Sequence, residues 1–91
     1  MKYAYPIIMT KGKDHVVVYV PDFDINTQGN DIADAINMAR DAIRIVGIDL
    51  QDDGEELPTA SAVEDVAARA DGGIVSLVDI DLGEYLEKQG K

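Results

Sequence analysis

Between Ile32 and Leu50, the apolar residues Ile32, Ile36, Ala39, Ile43, Val46 and Leu50 recur at intervals of 4, 3, 4, 3 and 4. That repeat is one face of an amphipathic α-helix. Asp34, Asn37, Asp41 and Arg44 fall away from the stripe, so one side seeks a core and the other seeks water. Asn30 or Asp31 is suited to cap the start, and Asp31 and Asp34 suit the positive end of the helix dipole. Gly47 weakens the last turn and sets the expected span near 31–47, with fraying toward Leu50. A helix with one apolar face needs a second layer to cover it, and that layer must come from the rest of the chain.

The flanking segments read as β-structure. Residues 3–9 (YAYPIIM) and 15–20 (HVVVYV) are aromatic and β-branched, joined by the polar TKGKD, and form an expected hairpin with Gly12 in its connection. Pro6 cannot donate to a ladder, so its nitrogen is expected at an edge or bulge. After the Pro21–Asp24 corner, INTQ (25–28) can pair as a third strand. QDDGEELP (51–58) is an acidic loop, and a second helix is expected over 62–70, with Ser61 and Glu64 at capping-box spacing and Gly72 placed for a C-cap. IVSLVDIDL (74–82) is the last strand. The order β-β-β-α-(α)-β is an α+β domain, a small antiparallel sheet with helices on one face.

The chain has 91 residues, the size of one domain over 1–91. Only about 60–65% of the unfolded surface of so short a chain can be buried, which favours association into a homodimer or higher homo-oligomer. Cysteine is absent, so neither a disulfide framework nor a zinc knuckle is available. With no secretory signal and no long apolar run, the expectation is a cytoplasmic protein without membrane contact. From His15 to Glu87, 17 acidic residues face three arginines and no lysine, a local net charge of −14. That field repels phosphate and attracts basic proteins, so direct nucleic-acid binding is not expected.

Catalytic and metal-binding patterns fail one by one. His15, the only histidine, has no cysteine and no recognisable serine motif to activate. Numbered from Asp49, the acidic loop places Ala60 where a calcium-binding EF-hand loop needs a bidentate Glu, and Pro58 interrupts the exiting helix. Asp22/Asp24 and Asp79/Asp81 are i, i+2 pairs on extended chain with no evident pocket to separate their pKa values. The glycine of GND (29–31) lacks the partners of a phosphate loop. Tyr3, Tyr5, Tyr19 and Phe23 could stack bases but lack basic neighbours. No catalytic residue, metal site or cofactor is expected. Binding is the chemistry left.

Four stretches in fixed order, YPIIM (5–9), VVVYVPDFDINTQGND (16–31), IADAINMARDAI (32–43) and IVSLVDIDL (74–82), resemble the N-terminal domain of HicB-type antitoxins of type II toxin–antitoxin systems. The run from strand through Pro-Asp-Phe and Thr-Gln-Gly into the helix is the most specific part. Two departures stand out. Asp24-Ile25-Asn26 replaces a slightly longer turn, often containing Gly-Cys, and the chain ends nine residues after Leu82, where many members continue into a DNA-binding module. No C-terminal DNA-binding module is therefore expected, and operator binding is not carried over.

The resemblance implies a HicB-like, partly double-stranded-RNA-binding-like fold. It also implies a non-enzymatic antitoxin that neutralises a HicA-type toxin, a small basic ribonuclease that uses a histidine to cleave mRNA, by masking its active site or RNA surface. The expected toxin-facing residues are Tyr19, Asp22, Phe23 and Asp24, with Asp79 and Asp81 as weaker candidates. For Phe23 a place in the core competes with that role, and for the aspartates simple solvation of a turn competes. Two alternatives remain open at this point: an oligomerisation or regulatory domain of a longer transcriptional regulator, and a small acid/base hydrolase using Asp22, Asp24 or His15.

Overall fold

In the computed structural model, residues 2–82 are described. Strands β1 (Lys2–Lys11), β2 (Val16–Val20) and β3 (Ile25–Gly29) precede helix α1 (Ile32–Asp52), the short helix α2 (Val63–Ala68) and strand β4 (Ile74–Asp81). The four strands form one sheet in the order β3-β2-β1-β4, with every neighbouring pair antiparallel. This is the α+β architecture expected from the sequence.

Alternation along the strands builds the core. Tyr5, Ile7 and Met9 of β1, Val16, Val18 and Val20 of β2, and Val78 and Ile80 of β4 gather in one buried cluster beneath Ala35, Ala39 and Ile43 of α1. The period of 2 in the strands meets a period near 4 in the helix. The centre of the buried helical stripe is Ala35, Ala39, Ile43 and Gly47, with Ile32, Ile36 and Ile48 packed at its edge. Small residues take the middle because the helix lies close to the sheet. A Cβ on Gly29 would sit 2.4 Å from the Ala35 backbone nitrogen, so glycine at the end of β3 lets α1 dock.

α1 starts as expected and ends later. Asp31 is its N-cap, its Oδ1 accepting from the Asp34 backbone N–H at 2.8 Å. Asp34 Oδ2 accepts from the Asn30 N–H at 2.8 Å. Gly47 does not stop the helix. It is buried where an added Cβ would lie 3.3 Å from Leu82 Cδ1, so its small size serves packing. The stop comes at Gly54, whose φ of 76° is left-handed. The Glu55 N–H reaches the Leu50 carbonyl at 2.8 Å and the Gly54 N–H reaches the Gln51 carbonyl at 3.0 Å, the paired bonds of a Schellman ending.

Two local expectations are corrected. α2 has no side-chain cap, because its N-cap is Ala62 and not Ser61. Pro6 is fully buried in an interior strand. The β2 ladder begins only at Ile8, so around Pro6 β1 pairs with β4 alone and the missing donor breaks no β2 bond. α2 packs against β1 and β4, and its Val66 is fully buried.

Candidate functional site

The corner from Tyr19 to Asp24 turns β2 into β3. The Phe23 N–H donates to the Val20 carbonyl and the Asp24 N–H to the Pro21 carbonyl, both at 3.3 Å. Asp24 takes a left-handed φ of 53°, a conformation aspartate tolerates better than most residues. The Tyr19 hydroxyl donates to Asp24 Oδ1 at 2.9 Å. That bond to the carboxylate, more than burial, raises the Tyr19 pKa above its ordinary value.

Asp22 points the other way in function. Its Oδ2 accepts from the Ser61 backbone N–H at 2.9 Å and its Oδ1 from the Ser61 hydroxyl at 2.5 Å. One carboxylate thus holds the segment after α1 against the β2–β3 corner. A second tie lies beside it: the Tyr5 hydroxyl donates to the Pro58 carbonyl at 2.8 Å. Burial, with lesser contributions from Tyr3 and Asp22, raises the Tyr5 pKa. Phe23 meets the Tyr5 ring edge-on with centroids 4.7 Å apart and packs against the core. It is half-buried at the core's edge, so part of its ring packs inward and part stays at the surface.

Asp79 stands on β4, on the far side of β1 from that corner. Arg40 of α1 donates from Nη2 to Asp79 Oδ1 and from Nε to the Asp79 backbone carbonyl, each at 2.9 Å. Hydrogen bonding from Arg40 lowers the Asp79 pKa, followed by its own backbone N–H and the Arg40 charge. Asp81 is half-buried at the end of the same strand. The six residues singled out from the sequence therefore fall at two places, the corner and β4. Asp24 and Asp79 are the exposed carboxylates among them.

His15 is half-buried at the other end of β2 from Asp22 and Asp24. The intervening strand spans about 17 Å, too far for shared acid/base work. The histidine lines an open hollow of about 300 Å³ with Lys11, Lys13, Asp14, Asn30 and Asp31, a set without an activated nucleophile. Among the described residues no cluster of three or more His, Cys, Asp or Glu is placed to hold a metal. No helix among them is long and apolar enough to cross a membrane.

Sequence reasoning missed three features. The Asp22–Ser61 latch joins residues 39 apart in sequence, beyond any local signal. The Arg40–Asp79 bridge is equally long-range. Met38 and Ile45 are exposed on α1, at 41% and 56%. For these a signal existed, since large apolar residues sit on the arc that also carries Asn37, Asp41 and Arg44.

Comparison with known proteins bears directly on this geometry. Residues 5–91 match the family described as HicB_like antitoxin of bacterial toxin-antitoxin system. An uncharacterized 14.9 kDa protein of Haemophilus phage HP1 is 32% identical over 90 residues, covering 96% of this chain and 68% of its own length. The N-terminal domain of the Burkholderia pseudomallei antitoxin HicB superposes with a TM-score of 0.78 at 33% identity, over 88% of this chain and 100% of that one. A chain of a toxin–antitoxin complex from Streptococcus pneumoniae gives 0.76 at 27% identity, over 93% and 73%. With residues 5–91 matched by the family pattern and the overall fold shared with a solved HicB N-terminal domain, this chain belongs to the HicB-like antitoxins of bacterial toxin–antitoxin systems.

Proposed function

We propose that this chain binds and neutralises a basic HicA-type mRNA ribonuclease in the cytoplasm, masking its active site or RNA surface without catalysing a reaction itself. Membership of an antitoxin family carries this reading. The charge supports it: a net −10 attracts a protein that must itself bind RNA, and disfavours RNA as this chain's own ligand. Asp24, Asp79 and Asp81 contribute to the attracting field. Asp22 and Phe23 act indirectly, by holding the corner in shape, and Tyr19 orients Asp24. His15 lies a strand's length from the corner aspartates, which weighs against the hydrolase alternative. The chain works as a homo-oligomer, its small core being extended by association.

The test is co-expression with a small basic HicA-type protein from a neighbouring reading frame. Induction of the neighbour alone should arrest growth, and simultaneous expression of this chain should restore it. Arrest that persists despite abundant folded chain would contradict the proposal.

A further inference from the structure

We propose that the solvent face of α1, centred on Met38 and Ile45, is the docking ridge for the basic toxin. This inference rests on the proposed antitoxin role and names the contact surface. Met38, Asp41, Ile45 and Asp49 are all exposed, and their spacing of 3, 4 and 4 places them on one stripe. The stripe faces away from Ala35, Ala39 and Ile43, which enter the core. Met38 and Ile45 stand two turns apart, about 10 Å along the axis. A lone exposed apolar side chain needs no explanation. Two on one stripe, with carboxylates between and beyond them, form an apolar centre with an acidic border.

Charge selects the occupant. Asp41 and Asp49 on the stripe are joined by exposed Asp52 at the helix end. The nearest cation, Arg44, leans on Asp41 at 3.6 Å. No basic residue balances the last turn, where the helix dipole already adds negative potential. A two-fold contact with a second copy would set these carboxylates against their own kind. An anionic membrane is repelled for the same reason. A cationic protein surface with an apolar recess satisfies both parts of the ridge.

Val17 provides a matched control. It is as exposed as Met38, at 41%. Its neighbours Val16, Val18 and Val20 enter the core beneath α1, so it lies on the opposite face of the sheet. Affinity would be measured for a catalytically inert form of a HicA-type toxin that this chain is found to neutralise. Met38→Glu and Ile45→Glu should each weaken binding about tenfold or more, and Val17→Glu should bind as wild type. Met38→Ala and Ile45→Ala, smaller changes at exposed positions, should show the same order. Asp41→Asn combined with Asp49→Asn should slow association in low salt, with the deficit shrinking as salt rises.

Normal affinity in the ridge variants, with wild type binding well, would overturn the ridge and leave the antitoxin role standing. So would ridge variants that change only the self-association of the free chain, since a second copy would then be the occupant. Failure of folded wild type to bind would remove the antitoxin role and the ridge together.

Discussion

The two corner aspartates show how position decides what a carboxylate does. From the sequence they are equivalent, an i, i+2 pair flanking Phe23. In the structure Asp24 is exposed and holds the Tyr19 hydroxyl, whereas Asp22 accepts two bonds from Ser61. Asp22→Ala should therefore destabilise the fold by about 1.5–3 kcal/mol, the usual cost of losing hydrogen bonds to a charged group. Asp24→Ala should cost well under that, and thermal melting of the two variants checks the difference. A joint Asp22/Asp24 substitution is consequently a poor probe of surface charge, because it also loosens the segment around Ser61. Tyr5 gives a pH signature. Its folded pKa lies above the ordinary 10.0, so the unfolded chain releases this proton first as pH rises. The Tyr5 contribution is whole below pH 10.0 and is lost as pH climbs through the folded value. Tyr5→Phe, which removes the bond to Pro58, should cost about 0.5–1.5 kcal/mol at neutral pH and flatten the alkaline decline of stability. Alkaline melting series that are parallel for wild type and variant would contradict this. Neither Asp22's partner nor Tyr5's was legible in advance, because each contact joins segments brought together only by the finished fold.

The elements themselves were largely legible, and the errors sit where tertiary contacts override local preference. Periodicity located α1, residue type narrowed its cap to Asn30 or Asp31, of which the structure uses Asp31, and alternation located the hairpin and β4. The helix end was misplaced because glycine has two uses: Gly47 makes room for Leu82, and Gly54 supplies the left-handed residue that closes the helix. Gly54→Ala should cost about 1 kcal/mol, since no atom lies near its added Cβ and only the backbone is strained. Gly29→Ala should cost at least about 3 kcal/mol, because its Cβ meets helix backbone that cannot step aside. Equal melting temperatures for these two variants would defeat the close-docking account of α1. Ile43→Ala, in the fully buried stripe, should cost about 2–5 kcal/mol. Ile36→Ala should cost less than Ile43→Ala, since Ile36 is only half-buried. The six-residue stripe read from the sequence had weighted the two alike.

At the scale of the whole molecule, charge and fold separate into two jobs. The sheet and α1 supply a buried core with no buried charge among the described residues. Exposed carboxylates such as Asp24, Asp41, Asp49 and Asp79 are left on the surface, where they set a negative field suited to a basic partner. Composition made that sign legible at once, whereas the apolar ridge needed the helix to be oriented before Met38 and Ile45 could be seen as exposed. Self-association is expected along edge strand β4, where Leu77 is exposed at 55% on the sheet face opposite α1, leaving α1 and Val17 free. Sedimentation should show an oligomer that Leu77→Glu weakens, and a monomer at tens of micromolar, where about 6–7 kcal/mol of association would register, would contradict it. The central proposal is neutralisation of a HicA-type ribonuclease, and the direct measurement is RNA cleavage by such a purified toxin as this chain is titrated in. Cleavage should fall to background at a fixed molar ratio and stay there. Undiminished cleavage in the presence of excess, well-folded chain would contradict the account.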